Sequence, residues 1–575
     1  MQLGRFYADN TVESNNLFGN LSFSNKYTGF AYADFLLGYP NSTSIAPPAL
    51  DAPFLRWGYD FFATDEFKIT PKLTANIGLR YEIHPAWSST NGLASAFDVS
   101  TGNIIIEDGS QNKVSPFFGT SSVGILTASQ AGWRPGSLLY TDKNNWAPRV
   151  GLAWSPGSGK TVFRAGFGIF YDLVPTQVPM GSTPFSVSPA GYTNPTLINS
   201  TAANPVIVLP QVYPNIPLNG TNVSLPTAFK KDLRIPYSLQ YNVTVERQLG
   251  NMGVRVSYVG TGTRQGEYQY NYNQPLAGPG LYINKPRPFR QFGNVTYVTN
   301  GAGHQYNGFN TEVKRPLATG LLYDFNWTWA RDIGDLERDQ QPEDSYNLRR
   351  ERAPWADIPT HRITDSLIYD LPVGHGRKFL SKGNGLLDAL IGGWQVTQAL
   401  TWSTGFFLTP LWTGTDPTGT GFTSSATPPT VTLRPDLIAN PNLPADQRSV
   451  QDWYNLHAFA PPGAGQFGTS AKGVIVGPGS FTVDAGLAKN FTVRERLKFR
   501  IEFTGTNILN HTNFNPLLNS SSTISLINGA TYPEGTALIY NQTGVSGIIT
   551  STGNGAGGID PSGPRRFRLG VRMDF

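Results

Sequence analysis

Along much of the chain, apolar and polar residues take turns. In Lys72–Ile83, Leu73, Ala75, Ile77, Leu79, Tyr81 and Ile83 fall on one side of a period-two pattern, and Lys72, Thr74, Asn76, Gly78, Arg80 and Glu82 on the other. Successive side chains of a strand point to opposite faces, so this window predicts a strand with one apolar face. A single window of this kind proves little, and its recurrence is what decides. Tyr237–Glu246, Leu497–Thr504 and Arg566–Phe575 alternate without error. Looser alternation runs through Phe54–Ile69, Trp146–Ser155, Phe163–Asp172, Val254–Thr261, Tyr306–Arg315, Leu321–Asp332, Arg362–Leu371, Trp394–Ser403 and Phe481–Phe491. That makes thirteen strands, with one to three more expected before Phe54. Most approach the nine to eleven residues a tilted strand needs to cross a bilayer.

The connections carry a second signal. Short turns are expected at Thr70-Pro71, Pro156–Lys160, Gly250–Gly253, Pro316–Gly320 and Thr492–Arg496. Long Gly/Pro/Asn/Ser-rich stretches alternate with them, at Pro85–Asn145, Leu173–Pro236, Gly405–Ser480 and Asn510–Pro564. Short turns on one rim and long loops on the other predict an all-β chain: a transmembrane, antiparallel, up-and-down β-barrel with about 14–16 strands here. Counting back from Phe575 keeps the short turns on the periplasmic rim. Pro372–Gly393 is long for that rim.

Composition narrows the choice. Only 14% of the 575 residues are charged, 12% are aromatic, and there is no cysteine, so disulfides and thiolate chemistry are excluded. No apolar run reaches the roughly 18 residues of a spanning helix. A formal charge of +5 gives no reason to expect nucleic acid. The outward faces are rich in Trp and Tyr, among them Trp57, Tyr81, Trp154, Tyr258 and Trp402, as suits the headgroup zone. The inward faces hold the ions. Arg80, Arg149, Arg164, Arg255, Arg500, Arg568 and Arg572 predict a somewhat basic lumen wall, which would favour anionic solutes or dock a plug.

The chemical motifs are mostly bland. Ser155–Thr161 imitates the end of a phosphate loop, but Trp154 stands where a glycine is needed and a strand follows, so a turn is expected. Gly553–Gly558 has a dinucleotide-like spacing with no helix after it. The six histidines (His84, His304, His361, His375, His457 and His511) show no metal-ligand spacing and no nucleophile beside them. No catalytic, cofactor or metal residue is assigned. One acidic run, Asp332, Asp335, Glu337 and Asp339 followed by Glu343 and Asp344, is a weak candidate for a cation loop or a divalent bridge to lipopolysaccharide. A solvated loop explains it as well.

Tyr59–Glu82 and Asn145–Trp154 resemble barrel strands of TonB-dependent receptors. Tyr369-Asp-Leu-Pro-Val-Gly374, Gly392-Gly-Trp-Gln395, Gly477-Pro-Gly-Ser-Phe481 and Phe503–Phe514 resemble the Oar-like members more specifically. Phe567, Leu569, Val571, Met573 and the terminal Phe575 match the family's barrel-assembly signal residue for residue. The resemblance covers nearly the whole chain. It implies a barrel of about 22 strands, a plug inside it, energy from the TonB complex, insertion by the barrel-assembly machinery, and residence in a Gram-negative outer membrane. Residues 1–575 are then expected to be the C-terminal portion of the barrel, since no plug, regulatory domain or export signal is legible in them. The function expected is active uptake of a scarce ligand, without enzymatic chemistry or a cofactor. Two alternatives stay open: a plugless porin or surface adhesin, and a soluble secreted β-rich carbohydrate-binding protein.

Overall fold

The computed structural model describes residues 1–12, 19–44, 50–115, 118, 123–172, 183–186, 192–193, 205, 207–211, 225–318, 320–336, 340–381, 385–421, 430–450, 452–493, 497–514, 523–525 and 564–574. One sheet of sixteen strands dominates, and fourteen of them form a continuous path. In chain order these are β1 (Gln2–Val12), β2 (Leu50–Thr70), β3 (Leu73–Ile83), β4 (Asn145–Trp154), β5 (Thr161–Tyr171), β6 (Tyr237–Leu249) and β7 (Met252–Arg264). They continue as β8 (His304–Ala318), β9 (Leu321–Gly334), β10 (His361–Asp370), β11 (Trp394–Ser403), β12 (Ser480–Val493), β13 (Leu497–Thr506) and β14 (Arg566–Asp574). Each pairs antiparallel with its neighbours in sequence. All thirteen strands expected from alternation are present, and β1 supplies one of those expected before Phe54. No helix among the described residues is long and apolar enough to cross a membrane.

The exposure pattern is that of a lipid-facing wall. Phe61, Ile77, Leu79, Val150, Trp154, Phe167, Val243, Ile501 and Leu569 are large hydrophobic residues on the exposed face. Charged and amide side chains alternate with them on the inner one. A water-soluble sheet would bury those residues; here the hydrocarbon of a bilayer covers them. Rings meet across neighbouring strands as the register requires: Tyr81 stacks on Trp146 at 4.2 Å, Trp154 on Phe163 at 5.2 Å and Phe503 on Phe567 at 5.1 Å.

The short turns expected at Thr70-Pro71, Pro156–Lys160 and Gly250–Gly253 are present, while Thr319 and residues 494–496 of the other two lie outside the described residues. Leu249 pairs with Met252 around Gly250, and Ser155–Lys160 is a turn and not a phosphate loop. The long connection Pro372–Gly393 contains a short helix, Gly385–Ile391. Its Asp388 accepts a hydrogen bond from the His375 backbone at 2.5 Å. The added length is thus folded back against the rim, which removes the objection it raised.

The long loops, whose internal structure the sequence does not show, build a second sheet, which runs Gly266–Asn271, Thr296–Ala302, Ala228–Phe229, Ser95–Asp98, Asn103–Ile106, Ile125–Thr127. Three separate connections supply it. Phe97, Ile104, Ile105, Ile106, Trp133, Phe229 and Val295 form its buried core. A smaller core of Leu408, Trp412, Leu433, Tyr454, Phe459 and Ile475 lies within the β11–β12 connection. Together they make an ordered layer, the roof, on the long-loop side of the wall. Most of Leu173–Pro236 and of Asn510–Pro564, with Gly553–Gly558 and Phe575, lies outside the described residues.

Candidate functional site: a charged wall beneath an ordered roof

The seven arginines expected on the lumen face stand on inward positions of the wall, but they do not make a simple basic surface. Arg255 bridges Glu246 at 3.1 Å and Glu312 at 2.8 Å on its two neighbouring strands, and Arg164 lies 3.5 Å from Glu246. Lys314 meets Asp324 at 3.2 Å. Arg500 pairs with Glu502 at 3.0 Å and donates to Gln395 and Asn490. Arg572 pairs with Asp574 at 2.9 Å, Arg149 lies over the Phe170 ring at 4.4 Å, and Arg568 faces Thr504 in register. The wall is therefore a ladder of alternating sign, which holds water and short-range polar contacts while its long-range field largely cancels.

Midway along β2 and at the outer end of β3 the ladder becomes buried. Asp60 and Glu82 are register partners, and Arg80 reaches Asp60 Oδ2 at 3.0 Å and Glu82 Oε1 at 2.7 Å. His84 turns Nε2 toward the other oxygens, at 3.2 Å from Asp60 Oδ1 and 3.9 Å from Glu82 Oε2. Asp60, Glu82 and His84 are all buried. Sequence inspection missed this group because its members come from two strands and only the register unites them.

The acidic run behaves differently from a cation loop at the positions that are described. Asp332 pairs with His304 at 3.2 Å and Asp335 with Arg352 at 3.6 Å. Glu337 and Asp339 lie outside the described residues. Glu343 joins a buried ion cluster instead. Arg434, from the β11–β12 connection, donates to Glu343 at 2.6 Å and to both oxygens of Glu351 at 3.1 Å. Lys472 adds a contact of 2.9 Å to Glu351, and Arg350 one of 2.5 Å to Glu343. Burial pushes the Glu351 carboxyl up, but Arg434 and Lys472 outweigh it and hold it below its ordinary range. The cluster locks two loops of the roof together. Arg434 had no legible signal, being one of two arginines in a 76-residue loop.

A bank of phenols lines another part of the roof. Tyr270 lies 6.0 Å from Tyr268, 6.4 Å from Tyr272 and 5.3 Å from Tyr297. Burial, followed by the neighbouring phenols, pushes the Tyr270 hydroxyl well above its usual range. These half-buried rings offer stacking surface and little charge.

Strands that cross a bilayer, short turns on one rim and a roof on the other define an integral outer-membrane barrel wall. The sequence agrees: residues 2–565 match the family described as "Outer membrane beta barrel domain", and the chain belongs to that family. Its place is the outer membrane of a Gram-negative bacterium. No curated protein matches the chain. Among solved structures it is similar to the ferripyoverdine receptor of the outer membrane of Pseudomonas aeruginosa (10% identity, TM-score 0.37, covering 94% of this chain and 40% of that one). It is similar also to the ferric-catecholate import receptor Fiu of Escherichia coli (10%, 0.37, 91% and 45%). A third is the outer membrane transporter YddB of Escherichia coli (10%, 0.35, 91% and 55%). The chain thus spans 40% to 55% of the length of these proteins.

Proposed function

We propose that this chain is the C-terminal portion of the barrel of a TonB-dependent receptor, which takes up a scarce ligand and does no chemistry on it. The observation that carries the reading is the ordered roof. A passive pore gains nothing from long loops that hold two hydrophobic cores and a buried ion cluster. A receptor needs such a surface to capture its ligand before passing it inward. The polar lumen wall below offers many exchangeable contacts, which suits both passage and the docking of a plug.

The wall itself supports the larger barrel. Among the described residues β1 and β14 are its edges, with no pairing between them. In lipid, every backbone donor and acceptor must be satisfied, so a spanning sheet has to close. Further strands, as in a barrel of about 22, would close it around a plug.

The test uses the complete gene product in outer-membrane fractions. The expected result is capture of the periplasmic domain of TonB, together with low resting conductance in planar bilayers. A steady open channel with no capture of TonB would overturn the reading and leave a passive pore.

A further inference from the structure

We propose that Asp60, Glu82 and His84 form a binding site for one divalent transition cation of the zinc class, which fastens the base of the roof to the wall. The three candidate ligand atoms lie within 4.8 Å of one another. Two of the separations are 3.2 Å and 3.9 Å. A tetrahedral ion with bonds of about 2.0–2.2 Å needs ligand atoms about 3.3–3.6 Å apart. The arrangement is therefore within a few tenths of an ångström of that on two edges.

The arrangement of oxygens points the same way. Arg80 takes Asp60 Oδ2 and Glu82 Oε1, and so leaves Oδ1 and Oε2 turned toward the imidazole. In this role the guanidinium is an ion-pair partner that stands behind both carboxylates. His84 Nδ1 is also buried without a hydrogen-bond partner among the described residues, so the ring's only polar engagement is through Nε2, on the carboxylate side. Two carboxylate oxygens and one imidazole nitrogen, with no sulfur, suit zinc or its neighbours and not copper(I).

The location gives the ion a task. Asp60 lies ten residues before Thr70 on one strand, about 25 Å above the periplasmic turn at ~3.3 Å per residue and a tilt near 40°. That is the outer edge of the bilayer. His84 follows β3 immediately and opens the 84–144 connection, which supplies three strands of the roof. Its ring packs against Gly58, where an added Cβ would lie 3.2 Å from His84 Cδ2. An ion bound here ties the first residue of the loop to two wall strands.

The experiment titrates the purified full chain in detergent with Co²⁺ as a spectroscopic probe and Zn²⁺ as competitor. It is run on the native chain, His84→Gln, Asp60→Asn and the exposed-histidine control His375→Gln. Heat-modified gel mobility confirms that each barrel is folded. The expected result is one saturable Co²⁺ site, displaced by Zn²⁺, weakened at least tenfold by His84→Gln or Asp60→Asn and unchanged by His375→Gln. Zn²⁺ should also slow hydrogen exchange in residues 84–145 of the native chain. If His84→Gln does not fold, Asp60→Asn and the exchange measurement decide. Absence of saturable binding to the native chain, or equal binding by the two site variants, would overturn the proposal. Neither outcome bears on TonB coupling, so the uptake reading stands or falls separately.

Discussion

The residues that most resemble the receptor family turn out to be joints. Gly374 and Gly392, from two separate motifs, meet at the short rim: a Cβ on Gly374 would lie 2.7 Å from Gly392 Cα. Gly393 has φ +69°, and a Cβ there would approach Asn490 O to 2.1 Å. Next in line, Trp394 donates to Leu390 O at 3.0 Å, and Gln395 links Asp370 to Arg500. Lys489 donates to Gly392 O. Only glycine suits the left-handed backbone and the close approach at Gly393. Gly393→Ala is therefore expected to cost at least 1–2 kcal/mol, the ordinary order of such strain, and to slow refolding into lipid vesicles; a native rate by gel mobility would count against this. A second joint closes the opposite end. Asn513 accepts from the Phe481 backbone at 2.7 Å and donates to Thr482 at 3.1 Å, so it fastens the chain after β13 to the start of β12.

At the scale of single strands, the two faces answer to different solvents. Val243 is 55% exposed near the middle of β6, with hydrocarbon as its neighbour, whereas Gln240 looks into the lumen. Val243→Arg should cost about 2–4 kcal/mol, and Gln240→Arg no more than about 0.5 kcal/mol. Urea titration of vesicle-inserted protein separates the two, and equal costs would mean the faces are assigned wrongly. The strands were legible in the sequence because period two is a local property: each hydrophobic position is read from its neighbours two residues away. The roof was not, because its strands are two to seven residues long and find partners across three connections. The run Ile104-Ile105-Ile106 was its one local trace, a short continuous apolar stretch buried on both faces. The Asp60–Glu82–His84 group was hidden for a similar reason, since a register, once known, pairs residues 22 apart.

For the whole molecule, the wall and the roof are held by different forces. Lipid and the hydrogen-bond ladder hold the wall; two small cores and the Arg434 cluster hold the roof. Arg434→Met would leave Glu343 and Glu351 buried without their shared cation. A loss of about 3–5 kcal/mol of local stability is expected, seen as faster hydrogen exchange in residues 405–480 with the wall unaffected. Acid should act on the same joint. The Glu351 carboxyl is held below its ordinary value in the folded state, so its contribution is complete above the unfolded-state value near 4.3 and fades as pH falls through the lower folded one. Exchange in 405–480 should thus stay slow at pH 5 and quicken only below about pH 4; quickening already between pH 7 and 5 would assign the joint to another group.

The roof's construction also decides what the cell shows to the outside. Its larger core draws on segments separated by more than a hundred residues, brought side by side by the strands of the wall. An antibody or a phage meeting this surface reads a mosaic, in which one tile is seated by its neighbours. A change in one loop shifts the fit of the others. A peptide copied from one of the three connections that share the larger core carries little of its shape.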